Sequence, residues 1–350
     1  MTSAQDLALL RLVAQRIAGP PLPGAAEVVR WLTAMQAQDP RGAVTSVALR
    51  AASGTRSAVE AAFDAGEVVK SWPMRGTLHL VAAEDLPWLL PLTTPRILAN
   101  TATRRAQLDI DDATIERARQ LAVKALAGGG RLIRGELMAA WEEGGLATTG
   151  QRGYHLLSHL AQTGLLCFGP TRAGEQEIVL VEEWIREPRR LERDEALGEL
   201  ALRYFLGHGP ATVKDFTRWT SLPAADVRAG LAIARPRLAS VEVDGAVHLM
   251  DPRTPELLAG GRRRARGVFL LPGFDEFILG YADRSAMVPP AFADRIVPGG
   301  NGVFQPTVVS AGQVVGLWKR ARDGVVATPF TTFAAPVATA IPRVYARLPS

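Results

Sequence analysis

The chain of 350 residues contains one cysteine, Cys167. That excludes an intrachain disulfide and any cysteine-rich zinc site. Lysine is almost as scarce, with only four: Lys70, Lys124, Lys214 and Lys319. No stretch approaches the roughly 18 unbroken apolar residues that a membrane-spanning helix needs. The opening MTSAQDLALLRLVAQRIAG lacks a basic start followed by an apolar block and a small-residue cleavage site, so no secretory leader is expected. These absences point to a soluble, cytoplasmic protein without a membrane partner. What is present is ordinary globular composition, 47% apolar and 21% charged, on a chain long enough for more than one core. The net charge of +5 favours an anionic partner. However, the basic charge is nearly all arginine on an Ala- and Gly-rich background, a bias that a GC-rich genome produces without functional cause.

The organisation lies in a repeated order of elements rather than in a repeated sequence. Residues 192–206 read as a helix closed by Gly207, Thr212 caps a short helix VKDFTRWT, and Pro223 opens a third, PAADVRAGLAIA. RLASVEVDGAVHLM then alternates around Asp244-Gly245, a strong hairpin signal. Helix, short helix, helix, hairpin is the order of a winged helix. The order recurs upstream: a helix over 111–126, then LIRGELMAAWEEGG, QRGYHLLSHLAQTG and the paired runs of LLCFGPTRAGEQEIVLV. A looser copy covers residues 5–82, with VVKSWPMRGTLHLVA as its wing. Beyond Arg262-Arg263-Arg264 the texture turns to β, in GVFLLPGFDEFILGY and in VFQPTVVSAGQVVGLWKR, whose turn falls at Ala311-Gly312. The expected fold is therefore α+β: module 1 over 1–105, module 2 over 106–188, module 3 over 189–258, and a small β-barrel over 259–350.

One stretch raises a chemical question. In AMQAQDPRG, at 34–42, two glutamines flank a small apolar residue. On a helix, residues two apart point about 200° apart and Gln36 and Gln38 cannot serve one ligand. Pro40 disfavours helix at Asp39. In an extended segment both glutamines face one side and Ala37 the other, presenting four N–H donors and two acceptor oxygens. Spacing alone leaves two readings: a pair satisfying backbone groups at a helix end, or a pair serving one ligand.

Other stretches carry similar alternatives. In MRGTLH, alternation places Arg75, Thr77 and His79 on one strand face, either to grip phosphates or as an exposed edge whose histidine bonds the backbone. Arg262, Arg263 and Arg264 form either a solvated run or a phosphate contact. His155 and His159 stand four apart, a possible metal geometry, but Leu156, Leu157 and Leu160 mark a core-packed helix, and no metal or organic cofactor is expected. Asp275 and Glu276 are expected to pair with arginines and brace the barrel. Gly299-Gly300-Asn301-Gly302 lacks the lysine and helix of a phosphate loop and reads as a turn.

MQAQDPRG, WPMRGTLHLV at 72–81, LLPGFDEFILGYADR at 270–284 and GGNGVFQPTVVSAGQVVGLWKR at 299–320 together resemble, in the same order and over essentially the whole chain, the AlkZ family. These are bacterial winged-helix DNA glycosylases related to the YcaQ enzymes. The resemblance implies three tandem winged helices and a C-terminal β-barrel in a C-shaped scaffold that holds double-stranded DNA. It implies that Gln36-Ala37-Gln38 is the family's catalytic Gln-apolar-Gln element, with Ala37 a small member of the apolar class. Asp39 lies one place beyond the carboxylate of the Gln-apolar-Asp branch and does not inherit that role. The resemblance further implies DNA contacts from Arg75, Thr77, His79, Arg262, Arg263, Arg264, Arg284 and Asn301. The expected activity is a monofunctional glycosylase releasing cationic N7-alkylguanine, as bulky adducts or interstrand crosslinks, from DNA carrying alkylated purines. It would act as a monomer, and such an activity would give self-resistance to a DNA-alkylating natural product. The competing reading is a non-catalytic winged-helix DNA-binding protein, a regulator or damage sensor.

Overall fold

The computed structural model describes residues 4–349. Helices and antiparallel sheets are mixed along the chain, and among the described residues no helix is long and apolar enough to cross a membrane. The chain forms two compact units: unit 2 is Glu60–Ala196, and unit 1 is built from the residues up to Val59 and those from Leu197 onward.

In unit 2 the strands run in the order Thr77–Ala82, Val68–Met74, Leu166–Arg172, Glu175–Leu180, Leu132–Ile133. The first pair closes through Arg75 (φ 55°) and Gly76 (φ 68°), between the partners Met74 and Thr77. Two positive φ angles in a two-residue loop are what a type I′ hairpin requires. Arg75 is therefore a turn residue, not the strand residue that alternation predicts, and the period of two begins at Thr77. Three helices, Asp112–Leu126, Arg134–Glu143 and Arg152–Gln162, pack over the sheet through Ala118, Ala122, Trp141, Leu156 and Leu160 against Leu166 and Ile178. The Trp141 indole donates to the Ala118 carbonyl at 3.0 Å, so this large ring is buried without an unsatisfied polar group. Cys167 is buried here, which pushes its thiol up to about 12.

Unit 1 begins with helices Ala4–Ala14, Ala25–Leu32 and Pro40–Ala48, and resumes within helix Arg193–His208. Next comes helix Val213–Thr220, capped by the Thr212 side chain, which accepts from the Asp215 N–H. Helix Ala224–Ala234 follows, with Pro223 at the position before its first turn. The hairpin Ala239–Val243/Ala246–Met250 turns at Asp244-Gly245, both at positive φ.

The C-terminal segment departs from expectation in two respects. FDEFILGY is not a strand. Pro272 and Gly273 end the strand Val268–Leu271, and Asp275 accepts from the Phe277 N–H to start the short helix Glu276–Leu279. The remaining strands do not close into a barrel: Gly324–Pro329, Gln313–Ala321, Thr307–Ser310 and Val268–Leu271 make an open four-stranded sheet in that order. Helix Ala335–Tyr345 contributes Ile341 to a core with Leu270, Val308 and Trp318, so a helix covers apolar surface that barrel closure would otherwise bury. The expected turn at Ala311-Gly312 is present, with φ of 49° and 81°.

Candidate active site

The glutamine segment is a short extended bridge between two helices. Helix Ala25–Leu32 stops because Thr33 takes φ 67°, outside the helical region, with its N–H on the Arg30 carbonyl. Asp39 is extended (φ −104°, ψ 100°), as the following proline demands, and Pro40 opens helix Pro40–Ala48 at a first-turn position. Between them burial alternates. Met35 and Ala37 are 1% and 0% exposed, while Gln36 is half-buried and Gln38 is exposed. The period of two puts both carboxamides on the side away from the core. No described residue hydrogen-bonds either side-chain amide, so their donors and acceptors are available to a ligand.

Beneath the bridge lies a buried polar network drawn from distant parts of unit 1. The Gln36 backbone N–H donates to Oε1 of Glu276 at 3.3 Å. The other oxygen, Oε2, accepts from the Trp219 indole at 3.0 Å and lies 3.2 Å from Nε2 of His208. The imidazole of His208 stacks on Tyr204, and its backbone carbonyl accepts from the Tyr281 hydroxyl at 2.7 Å. Burial pushes the phenols of Tyr204 and Tyr281 up, which keeps both as neutral O–H donors. Gln15 donates to the Glu276 carbonyl and to the Tyr281 hydroxyl.

The neighbouring Asp275 is held separately. Arg50 grips it from two sides, at 2.8 and 2.9 Å, and both side chains are fully buried. Ser46 and the Phe277 N–H also donate to it. The expectation that Asp275 pairs with an arginine holds. The brace, however, runs to the helix that follows the glutamines and, through Glu276, to the glutamine segment itself. Neither Glu276 nor its partners carry a local signal of this role, since 240 residues separate Gln36 from Glu276.

A cavity of about 190 Å³ opens beside the segment, with Asp39, Arg41, Gly42, Lys319 and Arg320 in its wall. It adds three cations near Gln38 that the sequence did not single out. A larger cavity of about 710 Å³ lies wholly within unit 2, against Trp88, Pro91, Val181, Ile185 and Arg190. It contains no residue of the glutamine segment, which belongs to unit 1.

The remaining expected contacts fall in different settings. In unit 2, His79 is fully buried. Its Nδ1 donates to the Thr77 carbonyl at 2.8 Å, which leaves Nε2 to accept from Arg75 Nη2 at 2.9 Å. The buried ring is closed to a phosphate, and Arg75 and Thr77 are the partly exposed members. In unit 1, Arg262, Arg263 and Arg264 occupy the last turn of helix Thr254–Ala265 and are exposed, with Arg262 bonded to Asp6 at 2.7 Å. Arg284 is half-buried, donates to the Ile278 carbonyl at 2.7 Å and lies over the Phe304 ring. Burial, and then the charge of Arg218, lowers its guanidinium. Asn301 is exposed and accepts from the Val303 N–H, the tight local turn expected of its glycine-rich neighbourhood. His155 and His159 sit near Arg104 and Arg105; burial first, then arginine charge, holds both imidazoles below their ordinary value. Among the described residues no group of three or more potential ligands gathers around them.

The chain as a whole is similar to known proteins. The family model described as "DNA glycosylase AlkZ-like" matches residues 29–349. A Streptomyces sahachiroi protein named "Interstrand DNA cross-link repair glycosylase" is 31% identical over 324 residues, which cover 88% of this chain and 85% of that protein. The solved structure of Streptomyces sahachiroi DNA glycosylase AlkZ superposes with a TM-score of 0.82 at 26% identity, over 99% of this chain and 95% of that one.

Proposed function

The chain belongs to the AlkZ-like DNA glycosylases, and from that premise we propose that Gln36 and Gln38 hydrolyse the N-glycosidic bond of cationic N7-alkylguanine in duplex DNA. The observation that carries this reading is the alternation at the bridge, which leaves two unbonded carboxamides on one side of an extended segment.

The chemistry explains why neutral groups suffice. Alkylation at N7 leaves the base positively charged, so the bond to the sugar is weakened and the base departs without protonation. A strong general acid is unnecessary. The tasks that remain are to place a water against the anomeric carbon and to stabilise the positive charge developing on the sugar. Amide oxygens accept from the water and present fixed dipoles toward that charge, and pre-aimed dipoles supply a large share of many rate accelerations. In this reading Gln38, the more exposed, orients the water, and Gln36 supports the water or the sugar-phosphate.

Arg75 and Thr77, with His79 behind them, and Arg262, Arg263, Arg264, Arg284 and Asn301 serve the DNA backbone. Arg41, Lys319 and Arg320 join them beside the glutamines. We read the recurring helix-and-hairpin segments at 1–105, 106–188 and 189–258 as tandem winged helices. The enzyme acts as a monomer in the cytoplasm; its substrates include bulky adducts and, as the name of its relative suggests, interstrand crosslinks. Such an activity would also serve resistance to a DNA-alkylating natural product.

The test is a panel of duplexes carrying N7-methylguanine, a bulky N7 adduct or an N7 interstrand crosslink, scored for base release under single-turnover conditions. Wild type should leave an abasic site that alkali then cleaves. The Gln36→Ala/Gln38→Ala double variant should bind the same duplexes but release base more slowly by about 10²–10³-fold. Excision by that variant at the wild-type rate refutes the assignment.

A further inference from the structure

The family assignment does not explain what keeps both glutamines on one side of a bridge so short. An extended segment holds its register through its backbone hydrogen bonds, and a slip of one residue exchanges its two faces. Such a slip would turn Met35 and Ala37 outward and both carboxamides inward. Within unit 1 the Gln36 N–H is held by a carboxylate that is itself 1% exposed.

We propose that Glu276 is a positioning residue for the catalytic pair, a reading that rests on the assignment of Gln36 and Gln38 above. Its Oε1 fixes the peptide plane at Gln36. Trp219 and His208 fix Oε2, and neither of these is free to drift. Trp219 is 2% exposed, and His208 is fully buried and stacked on Tyr204. Glu276 begins a short helix whose first turn is set by Asp275. Asp275 is in turn gripped by Arg50 and Ser46, which lie in and just beyond the helix that follows the glutamines. The bridge is thus held at its centre through Glu276, and the helix that follows it is tied through Asp275 to the start of the same four-residue helix. Charged acceptors make stronger and more directional hydrogen bonds than neutral ones, and a misplacement of about 1 Å at a reacting centre costs on the order of 10²-fold in rate. Glu276 touches neither sugar nor base; it acts through the backbone of Gln36.

The experiment compares Glu276→Asp, Glu276→Gln and Trp219→Phe with wild type and with Gln36→Ala/Gln38→Ala. It uses the full chain and a duplex carrying one N7-methylguanine. Three quantities are read: the single-turnover rate, the duplex Kd, and the hydrogen-exchange rate of the Gln36 amide. Aspartate is one methylene too short to reach the Gln36 N–H from the same backbone. We expect it to slow excision by about 100-fold, with Kd held within about threefold and amide exchange faster by about tenfold or more. Glutamine keeps the length and one acceptor oxygen, so it should recover part of the rate. Trp219→Phe keeps a buried aromatic ring while removing the donor to Oε2 together with part of the indole. It serves where the aspartate variant fails to fold, and should slow excision and speed exchange to a lesser degree.

Wild-type rates and wild-type exchange in the Glu276 and Trp219 variants, beside an inactive glutamine double variant, overturn this proposal while leaving the catalytic pair in place. A glutamine double variant that excises normally overturns the catalytic reading itself, whatever Glu276 does. Equal losses of rate and of DNA affinity would show a general structural role and also overturn the proposal.

Discussion

Replacing Asp275 with asparagine tests the buried framework on which the bridge rests. Four donors converge on its carboxylate: Arg50 Nη1 and the Ser46 hydroxyl on one oxygen, Arg50 Nη2 and the Phe277 N–H on the other. An asparagine offers one acceptor oxygen and turns an NH₂ toward the remaining pair, so two of the four contacts are lost whichever way it is oriented. Arg50 then stays buried with its charge uncompensated. Its other acceptors are the Gln15 and Ser46 carbonyls, the Ser46 hydroxyl and the Gln15 side-chain oxygen, none of them charged. Breaking a buried ion pair from one side costs about 3–5 kcal/mol. For a unit of this size each kcal/mol moves the melting temperature by about 2–4 °C, so the transition of unit 1 should fall by roughly 6–20 °C. Calorimetry measures the shift directly. The pair also predicts coupling: in the double variant Arg50→Met/Asp275→Leu no charge is stranded, and its destabilisation should be smaller than the sum of the single variants by more than about 1 kcal/mol. A shift below about 2 °C for Asp275→Asn, or strictly additive singles, refutes the reasoning.

Two further outcomes follow from particular contacts. Gly230 lies inside helix Ala224–Ala234, where alanine ordinarily gains about 1 kcal/mol. A Cβ there would sit 2.4 Å from the Leu197 carbonyl oxygen, a backbone atom, so Gly230→Ala should instead lower the urea midpoint by an amount equivalent to about 1–3 kcal/mol. Burial of Lys70 lowers its ammonium from 10.5 to about 8. Below pH 8 both folded and unfolded chains are protonated and the desolvation cost is fully present; between the two values only the unfolded chain holds the proton, so stability rises with pH and levels off above the upper one. Lys70→Met should therefore stabilise unit 2 near neutrality by about 1–3 kcal/mol, after the offset from the Phe168 ring at 4.7 Å. That advantage should fade toward pH 10.5; a difference that does not change with pH sinks the idea.

What could be read from the sequence was local. The Asp244-Gly245 and Ala311-Gly312 turns, the Thr212 cap and the unwinding before Pro40 each depend on neighbours a few residues away, and each is present. The same local logic misread Arg75, because alternation continues through a two-residue turn without announcing it. It also misread FDEFILGY, whose apolar residues suit a strand as well as a one-turn helix; the side chain of Asp275 decides between them. The open sheet was expected as a barrel because strand count and Gly/Pro punctuation do not state which edges pair. The site divides in the same way. The outward pair Gln36 and Gln38 follows from a period of two, whereas Glu276, Trp219 and His208 meet only through the tertiary fold, and no spacing links them.

The unit that carries the glutamines is assembled from both ends of the chain, with Glu60–Ala196 between its two parts. Arg50 and Asp275 are 225 residues apart. At ribosomal speeds of roughly 5–20 residues per second, a nascent chain waits on the order of 10–45 seconds between exposing that guanidinium and making the acid that neutralises it. During this interval the bridge lacks its contact with Glu276, and the uninterrupted middle segment is completed before Asp275 is made. On the proposed assignment, excision competence is an end-of-synthesis property: a messenger cut short, or a chain clipped before the short helix at 276–279, carries both glutamines without the buried network beneath them.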